Sequence, residues 1–213
     1  MIGYWVFVWC FLLALLSPRS ALAFRSVAVG SMVPTATLKD LSGRDVNLAF
    51  GRRPVVFIFW RAGQELSREA LEDLEQIKKE FSERGVEIFA IAEGRTPVST
   101  VRDSVKNLAL SYPVYRDVDR KAEEEIGVIV FPSTGIVGPD GQLKFYLPSR
   151  NNNFRQILRA RLRVELGVSS EKEFDRQMRQ IGEELGSERA MAEGHLKTGL
   201  RLARLGKPQE ALP

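Results

Sequence analysis

Residues 55–60 read Val55, Val56, Phe57, Ile58, Phe59 and Trp60, with no polar side chain to face water on either side of a strand. A β-branched and aromatic run of this kind is a strand buried on both faces, as in a sheet covered by helices. The flanking sequence supplies the covers. Leu66, Ala70, Leu71, Leu74, Ile77 and Phe81 recur at spacings of three and four, which predicts an amphipathic helix over 66–84. An apolar strand is expected at 86–92, a second helix at 100–108 and a short strand at 112–115. A helical turn at 121–126 ends at Gly127. Residues 133–137 and 142–147 form a hairpin about Pro139, Asp140 and Gly141, and a basic helix follows over 151–166, stopped by Gly167. Before the central strand, residues 36–39 and 46–50 flank a turn at which Gly43 supplies a positive φ. Strands alternating with helices, then a closing hairpin and helix, give one α/β domain over 24–168.

The first residues are of another kind. Positions 2–16 are almost unbroken apolar sequence, which at 1.5 Å per residue is roughly 22 Å of helix against a hydrocarbon core of about 30 Å. Ala21, Leu22 and Ala23 then place small residues where a signal peptidase reads them, so residues 1–23 are expected to be a secretory signal cleaved before Phe24. No Lys or Arg precedes the apolar run, which leaves an uncleaved membrane anchor over 2–16 as the alternative. An exported, periplasmic protein is expected in the first case, with membrane contact only in the second. The one cysteine, Cys10, lies inside this run. A mature chain from Phe24 would therefore hold no disulfide, thiolate nucleophile or cysteine metal site. A net charge of +4 is too small to argue for nucleic acid.

Several segments together resemble one family. Val29–Pro34 with Thr37–Gly43, the strand ending in Phe59 and Trp60, Tyr112–Asp117, Ile126–Val128, and Phe131–Thr134 with Gly138–Gly141 stand in the order found in redoxin-type thioredoxin-like proteins. Exported thiol–disulfide reductases of bacterial cytochrome maturation are the nearest group. The resemblance implies a thioredoxin-like sandwich, a central mixed sheet with helices on both faces. It also implies a cis bond before Pro132, with the Phe131 backbone offered to an extended peptide by strand addition and Trp60 beside it.

In that family a Cys-x-x-Cys opens the first long helix, where the helix amino terminus stabilises a thiolate. Here the matching positions are Gln64 and Ser67, and the carboxylate that follows in the subfamily falls at Ala70, with Glu69 adjacent. No catalytic residue is assigned. Ser67 lacks a base, since the one histidine, His195, lies in the tail, and it is read as a polar cap of the helix. Gln64 is read as a surface amide. No metal site and no cofactor are expected. The reading is a non-catalytic thioredoxin-like module of the cell envelope that binds a protein or extended peptide. The alternative is a redoxin-family oxidoreductase acting by an unrecognised or partner-supplied mechanism.

Residues 169–213 are expected to form a helical tail. A charged helix runs from Ser170 to about Met191, and residues 195–212 resemble the first helix and turn of a tetratricopeptide repeat through the spacing of Gly199, Gly206 and Ala211. A lone amphipathic helix is the alternative. Arg155, Arg159, Arg161 and Arg163 form a basic cluster, read as a solvated face.

Overall fold

The computed structural model describes residues 24–204, with side chains described to residue 187; the expected signal or anchor lies outside the described residues. Strand β3 (Val55–Trp60) is buried along its whole length. It pairs in parallel with β4 (Glu87–Glu93), which pairs in parallel with β5 (Val114–Asp117). On the other side β3 pairs antiparallel with β6 (Ser133–Val137), and β6 with β7 (Leu143–Pro148). The hairpin of β1 (Ala36–Lys39) and β2 (Asp45–Leu48) completes a seven-stranded mixed sheet of order β2-β1-β5-β4-β3-β6-β7.

Alternation along β3 sorts its side chains to two cores. Val56, Ile58 and Trp60 meet α1 (Glu65–Phe81), α2 (Val98–Asn107) and α4 (Phe154–Glu165) on one face. Val55, Phe57 and Phe59 meet α3 (Lys121–Ile126) and the amino-terminal segment on the other. Phe24 is the anchor of that segment. Its ring stacks 5.7 Å from Phe57, and the N–H groups of Arg25 and Ser26 donate to the carbonyls of Gly127 and Ile126 at 2.6 and 3.2 Å. Gly127 closes α3 in the left-handed region at φ 78°, and a Cβ there would sit 2.5 Å from the Ser26 nitrogen. The glycine both ends the helix and admits the segment beside it.

Several bounds differ from expectation. β5 begins at Val114 rather than at Tyr112, because Pro113 has no N–H to give a ladder; Tyr112 turns inward and its hydroxyl donates to the Leu71 carbonyl at 2.9 Å. α4 starts at Phe154 because the Asn151 side chain accepts from the Asn153 N–H and forms a turn. The arginine cluster on α4 is a solvated face only in part, with Arg155 exposed. Arg159 pairs with Glu80 at 2.7 Å, and buried Arg161 bonds Glu165 and Glu171 and lies over the Phe174 ring.

Those last contacts dock the tail. α5 (Glu171–Arg204) is one continuous helix, with no break near residues 191–195 where a second helix was expected to begin. Its first turns bury Phe174 and Ile181, and Phe174 meets Phe145 edge-on at 5.5 Å. The turn expected of the repeat lies outside the described residues.

Removing the Phe24 ring is expected to cost about 3–5 kcal/mol, whereas Val29→Ala, at a 55% exposed side chain, should stay within about 0.5 kcal/mol. Urea unfolding of the full chain and both variants measures the contrast. Gly94→Ala should also destabilise, since its Cβ would lie 2.0 Å from the Asp117 carbonyl oxygen, a backbone atom of the neighbouring strand end.

Candidate functional site

The parallel strands β3 and β4 deliver Trp60 and Glu93 to one end of the sheet, where α1 starts and the loop entering β6 passes. Open α/β sheets collect functional groups at this place, outside the carboxyl ends of the strands. The Phe131–Pro132 peptide bond in that loop is cis, as the resemblance implies.

Gln64 is the residue before the first turn of α1, yet no side chain caps that helix. The Gln64 amide instead donates from Nε2 to the Phe131 carbonyl at 2.7 Å, and its Oε1 accepts from Ser67 Oγ at 2.9 Å. Ser67 is fully buried and accepts from the Arg61 backbone N–H at 3.2 Å. Both expectations for these residues are corrected. Gln64 is half-buried and bonded across the site rather than a free surface amide. Ser67 ties the end of β3 to α1 rather than capping the helix. A buried hydroxyl finds its partners in neighbouring polar groups, and here they are an amide and a backbone N–H, neither of which is a base. Glu65 and Glu69 are committed elsewhere, to Arg68 and to Arg150.

Two further side chains complete the site, and the sequence reading had not singled them out. Arg61 donates from Nε and its fork to Glu93 at 2.7 and 3.2 Å, and its guanidinium lies 4.7 Å over the Phe131 ring. The pair is two-pronged, and Glu93 is only 8% exposed, so the contact is fixed in direction as well as in charge. No local pattern announces it, since 32 residues separate the partners. Phe131 is thereby held from both sides: its ring under Arg61, its carbonyl on Gln64. Pro132 is buried, and the Val130 carbonyl accepts from Ser133 Oγ at 2.7 Å. Trp60 is buried in the core, 2% exposed, and its indole N–H has no hydrogen-bond partner.

Next to Glu93 in register, Asp117 is buried at the end of β5. Burial pushes its carboxyl above the ordinary range, and the N–H groups of Glu123 and Ala122, at 2.7 and 3.3 Å, pull it part of the way back. Its role is to hold the start of α3. Among the described residues there is no cysteine, and no group of three or more His, Cys, Asp or Glu residues could hold a metal ion.

Residues 29–146 match the AhpC/TSA family. Over 119 residues the chain is 28% identical to thiol-disulfide oxidoreductase ResA of Bacillus subtilis, covering 55% of this chain and 66% of that protein, just under two thirds of its length. The thioredoxin domain of a thiol-disulfide oxidoreductase from Bacteroides vulgatus superposes with a TM-score of 0.55 at 23% identity, over 63% of this chain and 97% of that one. A secreted disulfide oxidoreductase of Mycobacterium tuberculosis gives 0.52 at 18%, over 63% and 96%. A Chlorobium tepidum chain assigned as a thiol:disulfide interchange protein, DsbE, gives 0.62 at 15%, over 66% and 99%. The fold is thioredoxin-like, and the chain belongs to the AhpC/TSA family.

Proposed function

We propose that this protein is a non-catalytic, thioredoxin-like binding module of the cell envelope, recognising a protein or an extended peptide at the Phe131–Pro132 loop. One observation carries the reading: at the start of α1, Gln64 and Ser67 bond to each other and to Phe131, where an oxidoreductase of this family would present two thiols. Thiol–disulfide exchange needs a thiolate to attack a disulfide sulfur, and an amide bonded to a buried hydroxyl offers none. The cis-proline loop, in contrast, is retained and is held in place by Arg61 and Gln64. A peptide adding to it as a strand would compete with Gln64 for the Phe131 carbonyl. Export is supported by the amino-terminal apolar run and by the secreted relative. The tail, docked at its start through Phe174 on Phe145, would offer a second surface for a protein contact.

The names of the relatives favour a second reading, a thiol–disulfide oxidoreductase that acts by an unrecognised mechanism of its own or by a partner-supplied one. Insulin reduction by dithiothreitol tests whether the chain itself carries turnover. The full chain and its Cys10→Ser variant are expected to match the buffer blank. Gln64→Cys with Ser67→Cys in the same chain should accelerate the reaction by roughly tenfold or more, because the helix start lowers the thiol pKa. Turnover by the Cys10→Ser protein above the blank would overturn the proposal.

A further inference from the structure

Phe24 is core, although it directly follows the Ala21, Leu22 and Ala23 sequence expected to direct cleavage. Its side chain is 1% exposed. The ring stacks on Phe57 at 5.7 Å and meets Tyr146 at 5.8 Å. Gly135 of β6 makes room for it, since a Cβ there would stand 3.2 Å from the Phe24 ring and 2.4 Å from that of Phe57. The backbone is held as well. Phe24 bridges antiparallel to Val128, and the N–H groups of Arg25 and Ser26 donate to the Gly127 and Ile126 carbonyls. The three residues after the Ala23–Phe24 bond are thus fixed by packing, by strand pairing and by hydrogen bonds.

A peptidase that takes its substrate extended, as an added strand, needs the N–H and C=O groups beside the scissile bond. In the folded domain the N–H groups of Arg25 and Ser26 are already bonded to the end of α3. The Phe24 ring would also have to leave its place on Phe57. Cleavage of the folded chain then tracks the small population in which the segment is undocked.

From this geometry we propose that docking of Phe24 and cleavage before it exclude each other, so that the folded domain protects the Ala23–Phe24 bond from signal peptidase. The inference rests on reading residues 21–23 as the cleavage site. The reaction is hydrolysis: water adds across the peptide bond and leaves the Ala23 carboxylate and the Phe24 ammonium. Chains processed before the domain closes are released from their apolar run, and chains that fold first keep it. The two destinations expected from the sequence, release after export and anchoring by residues 2–16, become the two outcomes of one race between folding and processing.

The test is cleavage by a purified bacterial signal peptidase in non-ionic detergent, with the product's amino terminus read by mass spectrometry. Its substrates are the folded full chain and a peptide of residues 1–32, which carries the same sequence about the bond without the domain. The peptide is expected to be cut before Phe24, and the folded chain about a hundredfold more slowly. Two variants loosen the docking and leave the sequence about the bond unchanged. Gly127→Ala places a Cβ 2.5 Å from the Ser26 nitrogen, and Tyr146→Ala, at a half-buried ring, removes one neighbour of Phe24. Each is assayed below its own thermal transition and should be cut roughly tenfold faster than the unaltered chain. A folded chain cut at the rate of the peptide would overturn the proposal, as would protection undiminished in the folded variants. A peptide left whole would overturn the reading of residues 21–23, and the proposal with it.

Discussion

Strand β3 has water on neither face. Helices α1, α2 and α4 lie over one side of Val55–Trp60, and α3 with the segment from Phe24 lies over the other. Each of these side chains, taken from water, contributes on the order of 2 kcal/mol, and none can be repositioned without opening a layer. The strand end is therefore fixed in space by packing on both sides. Arg61 leaves that end directly, and α1 begins four residues later, so the site inherits the rigidity of the core. Functional groups placed on such elements hold their geometry better than groups on loops.

What is built at that end is a closed set of polar contacts. Arg61 bridges to Glu93 and covers the Phe131 ring, and Gln64 joins Ser67 to the Phe131 carbonyl. The set links β3, β4, α1 and the loop before β6 without a covalent bond. Its members are mutually satisfied, which is the condition for a buried polar network to specify one arrangement. The same closure engages the Ser67 hydroxyl and the Phe131 carbonyl with partners inside the protein. Under the proposed function, binding at the loop would select a partner able to displace Gln64.

The fold was legible where the pattern is local. The double-sided burial of β3, the three-and-four spacing on α1, the stop at Gly127 and the hairpin about Pro139–Gly141 are all readable from neighbours in sequence, and all are present. The cis bond before Pro132 was readable only through the resemblance. The contacts that make the site were not readable. Gln64 and Phe131 are 67 residues apart, and Arg61 and Glu93 are 32 apart, so nothing in either local pattern distinguishes them from surface residues. Local sequence marks Phe24 only as an expected cleavage boundary and gives no sign that it is core, because its partners, Phe57 and Tyr146, come from distant strands. Arg161 misled for the complementary reason. Its neighbours along α4 look like a basic face, while its partner Glu171 lies beyond the helix end.

The closure of the site by its own side chains is tested most directly by hydrogen exchange of the Gln64 carboxamide protons, followed by NMR in the full chain. The account predicts that Gln64 Nε2 exchanges about tenfold or more slowly than an exposed glutamine, and that Ser67→Ala, which removes the hydroxyl bonded to Oε1, releases part of that protection. Exchange at the rate of a free amide in the unaltered protein would contradict it, and would return the start of α1 to an open surface.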